Sequence, residues 1–324
     1  MFQIDVEAIV TTLKLNLRHS LHEENMPAPF VPTQIPFTPN LGWSHSRYET
    51  FSSCKRKYFF QYYPKFDREI PTNKIMELKQ LTSAPLVIGD IVHKAIEAIL
   101  NRLQKSEDDI DRERLDGWIS NAIDKEVRTN TFMEVYYKQV SEVDVDEMKE
   151  KATLCVNNFI DSDRFKWVMS EGVKFKEAWI IEPPGFGETV IEGSKAYAKF
   201  DFMHRGDDEI LIFDWKTGRE ANEKYLNQLR AYSFWASYHL QVEPNKITPV
   251  IAYLYPEYSE VECSFDDDSY HEFAKTVRGQ IEEMKGYCVD PAENIPKDKN
   301  EFPKRTFSNF CNYCNFKELC WEQG

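Results

Sequence analysis

The sequence has no positive charge to spare. Its 324 residues carry 40 Lys+Arg against 54 Asp+Glu, a formal net charge of −14. That balance excludes a uniformly basic nucleic-acid coat, because phosphate binding needs positive surface. It does not exclude a basic patch, since net charge averages over patches. Long apolar runs are also missing. Stretches such as Val250–Tyr255 are far too short to span a bilayer, so no membrane partner is expected. The opening Met-Phe-Gln-Ile-Asp-Val-Glu lacks the basic region of an export signal. Seven cysteines is an odd number; without an export signal they point to reduced thiols or metal ligands in a cytoplasmic protein, not to a disulfide framework. No internal repeat or low-complexity tract occurs. No Gly-x-x-x-x-Gly-Lys-Ser/Thr segment occurs either, so the chain carries no ATP-driven motor of that type.

What is present is enough apolar material for a core: 42% hydrophobic and 14% aromatic residues exclude a disordered chain. Residues 1–45 read as an arm, an amphipathic stretch (Val6–Leu17) followed by a run with five prolines (Met26–Pro39) that favours extended backbone. Ser46 is an expected N-cap. Tyr48, Phe51, Tyr58, Phe59 and Tyr62 follow at helical spacing, with Cys54 on the same face. Ile88, Ile91, Val92, Ala95, Ile96, Ile99, Leu100 and Leu103 form a one-sided stripe on a second helix. Residues 106–150 hold 14 acids and 6 bases. They read as part of a helical insertion, 106–170, within one folded unit spanning 46–324. Strands are expected at Lys174–Ile181, over the run ending at Ala196–Met203, at Ile210–Lys216 and at Ile247–Tyr255. A helix with Tyr225, Leu229, Tyr232 and Ala236 on one face lies between the last two. A final helix is marked by Phe273, Val277, Ile281, Met284 and Cys288. Helix, three strands, helix, strand is an α/β order with a central sheet.

The most informative segment runs from Lys199 to Gly218. A two-residue turn at Asp207-Asp208 would set Asp201 directly opposite Asp214, within ~5 Å across the ladder. Lys216, two residues on, shares the face of Asp214. Opposed carboxylates repel unless a cation lies between them, and oxygen ligands suit Mg²⁺ or Mn²⁺. Such a metal acidifies bound water, and a neighbouring ammonium favours developing negative charge. A bare Asp-x-Lys triplet also suits a solvent-facing strand, but the apolar flank Ile210–Phe213 argues for a central one. Gln228 and Tyr232, four apart, share one helix face. His93 lies at the edge of the striped helix, with Gly89 one turn before it and Glu97 one turn after.

The tail carries Cys311, Cys314 and Cys320 as C-x2-C-x5-C. This spacing suits zinc or an iron–sulfur cluster equally, and both usually take four ligands. Cys155, Cys263 and Cys288 sit at apolar positions. Cys54, in the context Ser-Ser-Cys-Lys-Arg-Lys, is the candidate fourth ligand, and such a set would staple the two ends of the chain together.

Taken together these elements resemble the RecB-like branch of the PD-(D/E)XK nuclease superfamily, and within it the iron–sulfur members: AddB-type nuclease domains and CRISPR-associated RecB-like exonucleases. Gly89-Asp-Ile-Val-His93 matches the Gly-x-x-x-His helix. Asp201 matches the first metal-binding aspartate, and Asp214-Trp-Lys216-Thr-Gly218 matches Asp-x-Lys-Thr-Gly. Gln228-Leu-Arg-Ala-Tyr232 matches Gln-x-x-x-Tyr. Ser46, Phe51, Cys54, Lys57 and Tyr58 match the upstream cysteine motif, and Cys311, Cys314 and Cys320 the downstream three. Lys55 and Asn315 stand where proline is usual, and the arginine that commonly follows the first aspartate is Phe202. The resemblance implies a restriction-endonuclease-like αβββαβ core with a mixed sheet. It implies Mg²⁺ or Mn²⁺ held by His93, Asp201, Asp214 and the Trp215 carbonyl, with Lys216 catalytic beside Gln228 and Tyr232. It further implies a 4Fe-4S cluster, in preference to zinc, on the four cysteines. The implied function is hydrolysis of single-stranded DNA or DNA ends, by an exonuclease of repair, recombination or CRISPR-type processing, with a helicase as a possible partner subunit. A non-catalytic DNA-end-binding or assembly subunit is the alternative.

The charge then reads differently. Residues 256–272 hold seven acids and no Lys or Arg, whereas Lys55, Arg56, Lys57 and Lys65 give residues 54–66 four cations and no acid. The acidic segments are expected to face away from the substrate groove.

Overall fold

The computed structural model describes residues 35, 38–106, 108–183, 185–207, 209–219 and 222–321. Most of the arm and the tip residue Asp208 therefore lie outside the described residues.

Ser44, not Ser46, caps the first helix: its hydroxyl accepts the Arg47 N–H at 3.1 Å. The aromatic stripe from Tyr48 to Tyr62 belongs to two helices, α1 (His45–Ser53) and α2 (Lys55–Tyr62). Cys54 between them is extended (φ −161°, ψ 111°), and it ends one helix and caps the other. Helix α3 (Thr72–Lys79) leads to α4 (Ala84–Leu103), whose nine buried side chains are the expected stripe with Val87 added. Each such Ile or Leu contributes roughly 1.5–3 kcal/mol on burial. The acidic region forms α5 (Arg112–Thr129), α6 (Met133–Tyr136), α7 (Val145–Asp161) and α8 (Asp163–Ser170), with the apolar faces of α5, α7 and α8 packed in one cluster with α4.

Lys174–Ile181 is not a strand. Residues Gly172–Ala178 wind as a 3₁₀ turn, where Lys174 pairs with Glu171 at 2.6 Å across three residues and Trp179 Nε1 donates to the Gly172 carbonyl at 3.1 Å. Within that span only β1 (Ile180–Ile181) is paired as a strand. The run ending at Met203 divides into β3 (Ser194–Tyr197) and β4 (Phe202–Arg205), and an unforeseen β2 (Glu188–Ile191) pairs with β3. Their turn is Glu192-Gly193, both at positive φ, the conformation of a two-residue hairpin turn. Strand β5 (Ile210–Lys216) is as expected, and α9 (Asn222–Leu240), β6 (Ile247–Tyr253), β7 (Ser259–Glu262) and α10 (Asp267–Lys285) follow. Cys288 does not extend the last helix; it opens β8 (Cys288–Asp290), which pairs with β9 (Ile295–Pro296).

The main sheet is mixed, in the order β1-β4-β5-β6-β7. Only β5 and β6 run parallel, joined by α9; the other neighbours are antiparallel. Residues alternate between two cores. Ile210 and Ile212 face the side of α9 and α10, while Leu211, Phe213 and Trp215 face the side of α4 and α7. This parity sends Asp214 and Lys216 toward α9. The mixed α/β architecture fits a restriction-endonuclease-like fold.

One histidine makes the core pH-sensitive. His204 in β4 lies against Trp167 and Phe175, with ring centroids 4.8 and 5.7 Å away, and burial pushes it down from the usual 6.5 to about 4. Folded, it stays neutral down to pH 4, whereas the unfolded chain takes up its proton from pH 6.5 downward. Its contribution is therefore complete above pH 6.5 and is lost as pH falls toward 4, by about 3 kcal/mol in all. Urea melts at pH 7.5 and pH 5 should show a smaller stability difference for His204→Phe than for the parent. Equal differences would remove this group from the acid response.

Candidate active site

The β4–β5 hairpin brings Asp201 and Asp214 together. Its pairs Phe202–Phe213, Met203–Ile212 and His204–Leu211 hold the expected register, and the Asp201 N–H donates to the Phe213 carbonyl at 3.1 Å. Asp214 follows four apolar residues on a central strand and inherits their burial, at 4% exposure. Its Oδ1 accepts the Tyr232 hydroxyl at 2.6 Å and Gln228 Nε2 at 3.3 Å. Its Oδ2 is buried, lacks a well-formed hydrogen bond and faces the Lys216 ammonium as an ion pair. Gln228 Nε2 also donates to the Tyr232 hydroxyl at 2.6 Å, and Gln228 Oε1 accepts Lys216 Nζ at 3.2 Å. The Gln-x-x-x-Tyr pair thus holds both the carboxylate and the lysine.

Asp201 is held from two other elements. Its Oδ2 accepts the Trp215 N–H at 2.7 Å, and its Oδ1 lies 3.0 Å from His93 Nδ1. Helix α4 passes so near the end of β5 that a Cβ at Gly89 would meet Thr217 Oγ1 at 3.5 Å, which is how His93 reaches the hairpin. The Trp215 amide on Asp201 was not evident from the motif, which named that residue only for its carbonyl.

The electrostatics are those of two carboxylates held side by side at the end of one hairpin. Burial pushes the Asp214 carboxyl up; Lys216 pulls it down, and Asp201 adds to the rise. Burial works against the Lys216 ammonium, but Asp214 outweighs it and the lysine is raised. Burial likewise opposes charge on His93, yet Asp201 and Asp214 lift it to about 9. The pair therefore favours positive charge on its neighbours His93 and Lys216.

The donor types expected here, carboxylate oxygens, an imidazole and a backbone carbonyl, would suit Mg²⁺ or Mn²⁺. The buried, poorly bonded Oδ2 of Asp214 fits that set. Among the described residues no group of three or more His, Cys, Asp or Glu is arranged to hold a metal ion; His93 and Asp201 are instead bonded to each other.

The same holds for the thiols. Cys54, Cys311, Cys314 and Cys320 line one small pocket together with Lys57, Lys304 and Arg305. Burial pushes up the Cys314 thiol and takes Cys320 to about 11, each reinforced by neighbouring cysteines. Protein contacts also join residues 56–81 to residues 299–315. Arg56 Nε donates to the Phe302 carbonyl at 2.8 Å, Lys299 pairs with Asp67 at 3.0 Å and Glu69 at 2.7 Å, and Asn315 Nδ2 donates to the Leu81 carbonyl at 2.8 Å.

Beside Asp214 opens a cavity of about 480 Å³ that shares Gln228 and Tyr232 with it and is further lined by Arg47, Tyr62, Phe186 and Lys199. Among the described residues that line it, none is acidic or comes from 106–150 or 256–272. Phe186 was not singled out by periodicity; its signal is the flanking Gly185 and Gly187. No helix among the described residues is long and apolar enough to cross a membrane.

No curated protein matches. A solved structure described as "Crystal structure of SSO0001" is similar at 15% identity, over 62% of this chain and 84% of that one, with a TM-score of 0.29. The family model of the PD-(D/E)XK nuclease superfamily matches residues 42–321. With that match over most of its length, and the paired aspartates and lysine on one sheet face, the chain belongs to the PD-(D/E)XK nuclease superfamily.

Proposed function

We propose that the chain is a metal-dependent deoxyribonuclease that hydrolyses phosphodiesters in single-stranded DNA or at DNA ends, as an exonuclease. Residues 46–324 would form its nuclease domain and 1–45 an arm. The observation that carries this reading is the buried Asp214, bonded to Tyr232 and Gln228 and paired with Lys216 on the face it shares with Asp201. Such an arrangement costs folding energy, because burial opposes these charges, and a binding module has no use for it.

Asp201, Asp214, His93 and the Trp215 carbonyl would hold Mg²⁺ or Mn²⁺, which supplies acidified water and offsets charge on the phosphoryl oxygens. Lys216 Nζ would donate to a non-bridging phosphate oxygen and stabilise the charge that builds there. Gln228 Oε1 fixes that ammonium, and the Tyr232 hydroxyl fixes the Asp214 carboxylate. The four cysteines around one pocket support a 4Fe-4S cluster that holds the chain ends, with zinc as the competing occupant. The protein would work in repair, recombination or CRISPR-type DNA processing, alone or with a helicase.

The test uses 5′- and 3′-labelled single- and double-stranded DNA with Mg²⁺ or Mn²⁺. Short products released from one labelled end are expected, faster from single strands. Binding to ends without cleavage in either metal would leave an end-binding subunit instead. Tyr232→Phe removes the 2.6 Å bond to Asp214 and should lower kcat by roughly 10- to 100-fold, the worth of one hydrogen bond to a charged group; an unchanged kcat would take Tyr232 out of the site.

A further inference from the structure

We propose that Phe186 is a base-stacking residue, which receives the base of an unpaired nucleotide in the cavity beside Asp214. The inference rests on the nuclease reading and assigns the residue by which that site would tell an unpaired strand, or the frayed end of a duplex, from paired DNA.

Phe186 is 75% exposed, and its exposure is built into the backbone. Gly185 and Gly187 flank it at φ +69° and +66°, where L side chains are strained. A Cβ on Gly187 would come within 2.3 Å of the Ala198 carbonyl oxygen, so only glycine fits. The Phe186 N–H donates to Glu188 Oε2 at 3.1 Å. The Gly187 carbonyl accepts the Ala198 N–H at 2.8 Å, which fastens this turn to the segment that runs into Asp201. An aromatic ring is thus carried into solvent by an anchored backbone, at the cavity that Gln228 and Tyr232 also line.

The other lining groups suit the rest of a nucleotide. Arg47 lies over the Tyr62 ring at 4.6 Å, and both line the cavity. Lys199 lines it too. Its partner is Glu182 at 2.8 Å, in a pair with both side chains well exposed, and such pairs contribute little, so the ammonium can turn to a phosphate. Among the described residues no carboxylate lines the cavity. Aromatic rings interleaved with cations form the usual surface for unpaired strands, because every base has a stacking face. In a duplex that face is covered by the next base pair.

The experiment compares the full chain with Phe186→Ala and Phe186→Trp on single-stranded DNA, single-stranded RNA and blunt duplex DNA, by steady-state cleavage and by the fluorescence of a 2-aminopurine oligonucleotide. Phe186→Ala should raise KM on a single strand by about ten-fold, with kcat within about two-fold, and should lose the fluorescence quenching seen with the parent. Phe186→Trp should restore both, and the blunt duplex should respond less. An effect on either DNA or RNA supports the inference and identifies the preferred sugar. Unchanged KM and quenching on both, or equal defects in the Ala and Trp variants, would overturn it. Should the parent cleave nothing, the nuclease reading fails by itself, and quenching by the parent but not by Phe186→Ala still decides the stacking.

Discussion

Asp214→Asn is expected to reduce metal-dependent cleavage at least about a thousand-fold while leaving the fold in place. The substitution keeps the shape of the side chain and its contacts with Tyr232 and Gln228 but removes the charge. With it goes half of the carboxylate pair that would hold the metal, and the partner of Lys216. The stability consequence has the opposite sign to the catalytic one. Burial raises the Asp214 carboxyl, with Asp201 adding to it, so its ionised form near pH 7 is a liability to the folded state. Lys216 loses its ion pair in the variant but keeps Gln228 Oε1 at 3.2 Å and the Tyr225 ring at 4.6 Å. Thermal melts without metal should therefore place the variant within a few degrees of the parent. That combination, activity gone with stability kept, marks a residue retained for function. Residual cleavage within ten-fold of the parent would sink the assignment of Asp214.

The parts of this site that were legible in the sequence are those where a short periodicity meets an unusual side chain. The alternation of β5, together with the turn position, fixed the opposition of Asp201 and Asp214, because a ladder leaves little freedom once its turn is set. Gln228 and Tyr232 were legible as a helical pair. His93 was not legible by itself. A lone histidine at the rim of an apolar stripe has no signal until α4 is known to pass the end of β5, and only the motif resemblance pointed to it. The failures have physical causes as well. Residues 172–178 hold a lysine pattern that suits a strand, but the Glu171–Lys174 pair and the Trp179–Gly172 bond favour a tight turn. The β2–β3 hairpin was missed because Glu-Gly is a weaker turn signal than Asn-Gly. Phe186 belongs to no periodic element, and its meaning lies in two glycines and a cavity assembled from distant segments. The net charge of −14 misled only as an average, since the described lining of the cavity contains no acid.

Cys314→Ser should test the other half of the reading, and its effect falls on stability. Protein purified without oxygen should contain iron and inorganic sulfide in equal amounts, and the variant should lose both. Burial holds the Cys314 and Cys320 thiols well above their ordinary range, Cys320 at about 11. These two thiols, in a pocket that Cys54 and Cys311 also line, are deprotonated only in exchange for a cation, so assembly must release protons and must weaken as pH falls. The loss on substitution is bounded by what already joins the ends. The Arg56–Phe302 bond, the Lys299 pairs with Asp67 and Glu69 and the Asn315–Leu81 bond hold the C-terminal segment against α2 and α3 without metal. The variant should therefore lose about 10 °C in Tm, with protease sites opening first between Arg305 and Trp321, rather than unfold outright. Zinc without sulfide would replace the cluster by a zinc site on the same ligands. An unchanged Tm, with neither metal present, would reduce the four cysteines to ordinary buried thiols and leave the protein contacts alone to hold the ends of the domain.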